Sequence, residues 1–111
     1  MQRFVKIISL KPGPDTVASY RKAHDEIWPE IVKGILDVGI ETMDLYLYGH
    51  QVVMIMETAD DIDVEHAMEK LAKLPRQAEW ENFVAQFQDC EAGSTSDEKW
   101  HLMEKIFTLK K

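Results

Sequence analysis

Tyr20 and His24 stand four residues apart in a stretch that reads as helix, so their side chains leave the same face and can address one small ligand. Histidine titrates near neutral pH and can both give and accept a proton, while a tyrosine hydroxyl both donates and accepts hydrogen bonds. Together they suit a polyhydroxyl ligand whose oxygens exchange protons. The same spacing also fits a bland arrangement, with Tyr20 at the edge of a core and His24 in water. Trp80, on a later apolar stripe, can lay its indole against the C–H face of a sugar ring or simply fill the core. Glu81 beside it reads as an acceptor for sugar hydroxyls or as a surface charge.

The other reactive groups form no second constellation. His24, His50, His66 and His101 show no paired metal-ligand spacing and Cys90 has no companion thiol, so neither a metal nor a cofactor is expected. A glycine-rich phosphate loop and a G-x-S-x-G nucleophile turn are both absent. The acidic run Asp60-Asp61-Ile62-Asp63 reads as a helix cap or a solvated face, and a calcium loop would need more widely spaced oxygens. A net charge of -7, from 20 acidic and 13 basic residues, repels a phosphate backbone, so nucleic acid is not an expected partner. No run approaches the roughly 18 apolar residues of a membrane span, so no membrane association is expected either. Charges interrupt the first apolar stretch, which reads as a strand and not as a secretory signal. With its single cysteine the chain is expected in a reducing compartment, the cytoplasm.

The chain has 111 residues, a length that suits one domain over 1–111. Arg3 to Leu10 is β-branched and aromatic and stops at Pro12-Gly13-Pro14, which predicts a first strand. Asp15 can cap a helix running to Glu26, with Val17, Tyr20, Ala23, His24 and Ile27 at helical steps. Trp28-Pro29 breaks that helix, because a residue before proline avoids helical geometry, and Pro29 suits the first turn of a new one. Gly39 is placed to end it in the left-handed conformation. Strands are predicted for Ile40 to Tyr48 and Gln51 to Thr58, joined by Gly49-His50 in a type II′ turn. A second helical region carries the stripe Val64, Ala67, Met68 and Leu71, restarts at Pro75, and continues through Trp80, Phe83, Val84 and Phe87. Residues Asp89 to Lys99 read as a loop, Trp100 to Leu109 as the fourth strand, and Lys110-Lys111 as a solvated end. The order βαββαβ predicts an α+β, ferredoxin-like fold.

Both faces of its strands carry large apolar groups. Strand one offers Phe4, Ile8 and Leu10 to one side and Val5 and Ile7 to the other, and strand three alternates Val52, Met54 and Met56 with Val53 and Ile55. Helices cover one face. A second copy of the chain is the most economical cover for the other, which predicts a homodimer with a twofold interface.

The residues converge on a known pattern. Tyr20-x-x-x-His24 is followed by Ile27-Trp28-Pro29-Glu30, then by Asp44-Leu45-Tyr46-Leu47, Glu79-Trp80-Glu81-Asn82-Phe83, Glu98-Lys99-Trp100 and Met103-Glu104-Lys105-Ile106-Phe107. Over essentially its whole length the chain resembles the L-rhamnose mutarotase family, and more closely the L-fucose branch of that family. The resemblance implies a cofactor-free, dimeric ferredoxin-like α/β barrel that binds a monosaccharide. It also implies that His24 is the acid and that Tyr20 contacts the sugar. In the rhamnose branch a strand-two tyrosine and two adjacent tryptophans line the pocket. Met43 stands at the first of these positions here, and Trp80-Glu81 at the second, which favours L-fucose over L-rhamnose.

Interconversion of α and β anomers requires the C1 hydroxyl to lose a proton while the ring oxygen gains one. In this reading His24, as imidazolium, protonates the ring oxygen, and Tyr20, Glu81 or water accepts the other proton. Two other classes share the scaffold: a cofactor-independent monooxygenase, and a non-catalytic small-molecule-binding dimer.

Overall fold

The computed structural model describes residues 1–91 and 93–109; the end Lys110-Lys111 lies outside them. The elements in chain order are β1 (Gln2–Ser9), α1 (Thr16–Asp25), α2 (Pro29–Asp37), β2 (Ile40–Tyr48), β3 (Gln51–Thr58), α3 (Val64–Ala72), α4 (Gln77–Ala85), α5 (Ser96–Lys99) and β4 (His101–Leu102). The sheet runs β2-β3-β1-β4 with every neighbouring pair antiparallel. That order places β3 between β1 and β2, the split arrangement of the ferredoxin-like fold, with each connecting helix broken in two.

The breaks follow from the prolines. Trp28 is extended (φ -68, ψ 136), as a residue before proline must be, and Pro29 opens α2. The turn out of α2 needs Gly39: its φ is +103, and a Cβ there would lie 2.8 Å from Ile62 Cδ1. In the hairpin, Tyr48 pairs with Gln51, and Gly49 has φ +61 while His50 does not share a positive φ, as a type II′ turn requires. Asp63 caps α3, its carboxylate accepting from the His66 N–H at 3.3 Å.

Three expectations are corrected. Asp15 precedes α1 but its side chain does not cap, because its own backbone is already in the right-handed helical region (φ -104, ψ -5) and not extended. The segment read as a loop holds α5, which starts with a capping box: the Thr95 hydroxyl accepts from the Glu98 N–H and the Glu98 carboxylate accepts from the Thr95 N–H. Its signature, Thr95-x-x-Glu98, is present in the sequence. The fourth strand is short. Only Leu102 and His101 pair with Lys6 and Ile7, the Met103 N–H donates to the Val5 carbonyl, and Glu104 to Leu109 run on without strand pairing.

Ile8 and Leu10 at one end of β1 and Val52, Met54 and Met56 on β3 face the helices and are buried, together with Ile31, Val38, Ala67, Leu71, Trp80 and Val84. Val5, Ile7, Val53 and Ile55 lie on the opposite face and are half-buried. The buried layer between sheet and helices is where the two split helices come together, and it is not completely filled.

Candidate active site

A cavity of about 640 Å³ opens there, bounded by β2, Met54 of β3 and the inner sides of α1, α2 and α4. It falls within the roughly 300–1,000 Å³ typical of small-molecule sites. Tyr20, His24, Met43, Trp80 and Glu81 all line it, so the structure brings together every residue singled out from sequence.

The helical spacing of Tyr20 and His24 puts their rings 4.5 Å apart, centre to centre. Tyr20 is buried and His24 half-buried, so neither the edge-of-core tyrosine nor the solvated histidine of the bland arrangement is found. His24 Nδ1 lies 3.0 Å from the Tyr20 carbonyl oxygen. A carbonyl can only accept, so Nδ1 carries the proton in that contact, and Nε2 is the nitrogen left to a ligand. Burial pushes the His24 pKa below its ordinary 6.5, opposed by the hydrogen bond to Tyr20 and by the negative charges of Glu81 and Asp25. At neutral pH the imidazole is therefore mainly uncharged, with a lone pair on Nε2, and not the resident imidazolium expected from sequence.

Trp80 is both core and wall. Its ring meets His24 edge-on at 5.4 Å and Trp28 at 5.2 Å, and Trp28 stacks on Phe83 at 5.7 Å. Arg76 closes this cluster from outside, its guanidinium 4.2 Å from the Trp28 ring centre and paired with Glu30 and Glu79. The side chain of His24 is thus in contact with two aromatic rings, Tyr20 and Trp80.

Glu81 is neither a surface charge nor a free base. Its Oε1 is 2.9 Å from Lys99 Nζ, and its Oε2 accepts from Gln77 Nε2 at 2.6 Å. Lys99 also donates to the Glu81 backbone carbonyl at 3.0 Å and to Gln88 Oε1 at 2.7 Å, while Gln88 Nε2 donates to the Tyr20 hydroxyl at 3.2 Å. Tyr20 is pushed up to about 12, chiefly by burial, with the Gln88 hydrogen bond pulling down and the Glu81 charge adding to the rise. Its phenol is therefore protonated at neutral pH.

Gln77 and Gln88 escaped the sequence reading, and Lys99 entered it only within the run Glu98-Lys99-Trp100, with no role in the site. Gln88 is 68 residues from Tyr20, and no local spacing marks a glutamine that only a folded chain brings there. Among the described residues no group of three or more His, Cys, Asp or Glu side chains is arranged to hold a metal ion. Among the described residues no helix is long and apolar enough to cross a membrane.

Residues 3–109 match the family model described as L-rhamnose mutarotase. An L-fucose mutarotase of Xanthomonas campestris pv. campestris is 32% identical over 111 residues, spanning 98% of this chain and 89% of that protein. An L-rhamnose mutarotase of Jannaschia sp. is 31% identical over 83 residues, 72% of this chain and 73% of that one. Among solved structures, an L-rhamnose mutarotase from Formosa agariphila superposes with a TM-score of 0.76 at 18% identity, over 99% of this chain and 100% of that chain, and so shares its fold.

Proposed function

Since the chain belongs to the L-rhamnose mutarotase family and is a sugar mutarotase, an isomerase, we propose that its substrate is a 6-deoxysugar, L-fucose before L-rhamnose, and that His24 and Tyr20 move the protons. The observation that carries this is the pair of facing rings on one cavity wall, one with a free basic nitrogen and one with a protonated hydroxyl. His24 Nε2 takes the C1 hydroxyl proton, and the O–H electron pair becomes the second bond of the aldehyde. The C1–ring oxygen bond breaks, its electron pair stays on the ring oxygen, and Tyr20 protonates that oxygen. Imidazolium and phenolate then face one another, and closure on the other face of the aldehyde returns both protons. The polarity is opposite to that read from sequence, because burial favours neutral His24 and Glu81 is already engaged.

Three features support L-fucose: the full-length similarity to an L-fucose mutarotase, the adaptable apolar wall at Met43, and Glu81 in place of a second indole beside Trp80. L-rhamnose is the second reading, supported by the family model and the Jannaschia relative. Saturation-transfer NMR on each sugar tests both. Exchange between anomer signals is expected to accelerate with catalytic amounts of protein, more for L-fucose, and no acceleration with either sugar would reject the proposal. The pH profile carries a sign. Since neutral His24 is the base, the acid limb should fall as pH drops, with its midpoint below 6.5. A rate that instead rises on acidification would make the imidazolium the working form.

A homodimer is part of the proposal. The uncovered sheet face carries Val5, Ile7, Val53 and Ile55, Tyr46 beside them is 59% exposed, and Ile106, Phe107 and Leu109 of the C-terminal segment are exposed as well. Light scattering is expected to give the mass of two chains, and Ile55→Lys to lower it to one; a wild-type monomer at micromolar concentration would end this part. The lone Cys90 suits the reducing cytoplasm, where we place the reaction and where cell fractionation should find it.

A further inference from the structure

We propose that Lys99 and Gln88 are positioning residues that fix the direction of the Tyr20 hydroxyl proton, so that Tyr20 meets the sugar as a donor. This rests on the assignment of Tyr20 as the group that protonates the ring oxygen. A lysine ammonium has three N–H donors and no acceptor. Lys99, with its side chain fully buried, donates to Gln88 Oε1 at 2.7 Å and to the Glu81 carbonyl at 3.0 Å, and pairs with Glu81 Oε1 at 2.9 Å. Only the oxygen end of the Gln88 amide can face such a group, so the amide cannot flip and its nitrogen must face Tyr20. An amide nitrogen only donates. The Tyr20 oxygen, 3.2 Å away, is therefore the acceptor, and its own proton has no acceptor among the described residues. The open direction is the cavity that Tyr20 lines.

The same chain serves the return step. When Tyr20 gives up its proton, the Gln88 N–H already points at the phenolate, backed by the positive charge of Lys99, so no reorganisation is needed as charge develops. Gln77 holds the far oxygen of Glu81 at 2.6 Å and keeps that carboxylate turned towards Lys99 and not towards Tyr20. Stability alone is a poor reason for the arrangement, since apolar residues of similar volume commonly serve a core as well as a buried ion pair.

The test is Gln88→Glu, almost unchanged in shape. Lys99 keeps its partner, but a carboxylate accepts from Tyr20 and turns the phenol proton away from the sugar. We expect kcat for anomer exchange to fall about 10²-fold, the lower end for loss of one proton-transfer group, with KM near wild type, and the thermal midpoint to drop because two buried carboxylates then share Lys99. Adding Tyr20→Phe should then cost nothing further, because both changes remove the same donor. Wild-type kcat in Gln88→Glu, or losses that multiply in the double variant, would overturn the proposal. If Gln88→Glu does not fold, Gln88→Met, which removes the N–H and leaves the phenol proton undirected, is expected to lower kcat by less than Tyr20→Phe does with KM near wild type, and wild-type kcat in it would overturn the proposal. His24→Ala in the same assay separates the two levels. Full activity in that variant removes the mechanism itself, whereas an inactive His24→Ala beside a normal Gln88→Glu removes only the positioning role.

Discussion

Replacing His24 with alanine is expected to lower catalysed anomer exchange by about 10³- to 10⁴-fold, the upper range for one acid–base group, while the protein stays folded. The imidazole has a nitrogen free for substrate in the cavity, and the buried carboxylate of the cavity cannot replace that nitrogen, because Glu81 is held by Lys99 and Gln77. Tyr20→Phe should lose less, about 10²-fold, because water can protonate the ring oxygen once the base has acted. The fold should survive because His24 is half-buried and its main contacts are ring to ring, with Tyr20 and Trp80. A cost of about 1 kcal/mol is expected, larger than for a solvated histidine. Exchange NMR and a thermal melt on one sample check both halves. Retention of near-wild-type exchange would reject His24 as the proton-transfer group, and an unfolded variant would show that its ring packing was underestimated.

The second large effect is on stability. Lys99→Met is expected to destabilise the protein by about 3–5 kcal/mol, because it leaves Glu81 charged, buried and without its cation. For a domain near this size that lowers the melting temperature by roughly 12 °C or more. Adding Glu81→Gln should recover part of the loss, since the neutral side chain still accepts from Gln77 but no longer strands a charge. Recovery would be incomplete, as Gln88 Oε1 remains without a donor. Denaturant unfolding of the single and double variants measures both numbers. A loss below about 1 kcal/mol in Lys99→Met would mean that the pair is far better solvated than its geometry implies.

How much was legible in the sequence depends on the range of the interaction involved. The helix break at Trp28-Pro29 and the end at Gly39 are properties of one or two residues, and the structure has them where the sequence places them. Tyr20 and His24 share a face because an i, i+4 pair in a helix always does. Strand propensity in Trp100 to Leu109 was a weaker guide. A strand needs a partner backbone as well as suitable side chains, and β1 offers pairing only to His101 and Leu102. The capping box of α5 was readable at Thr95 and Glu98, but the surrounding polar composition outweighed it.

The sequence by itself determined the order of elements, the faces they bury, and the presence of a tyrosine and a histidine on one wall. Tertiary structure alone decided what those two groups can do. The neutral state of His24 comes from desolvation, which depends on Trp80 and the sheet closing around it and has no counterpart in local spacing. The direction of the Tyr20 proton comes from Gln88 and Lys99, which reach it from the segments after α4. Glu81, legible as a hydroxyl acceptor, a candidate base or a surface charge, becomes the buried counter-ion of Lys99 for the same reason. Helical periodicity can place a side chain on a face, but its charge and hydrogen-bond direction are set by neighbours that only folding supplies.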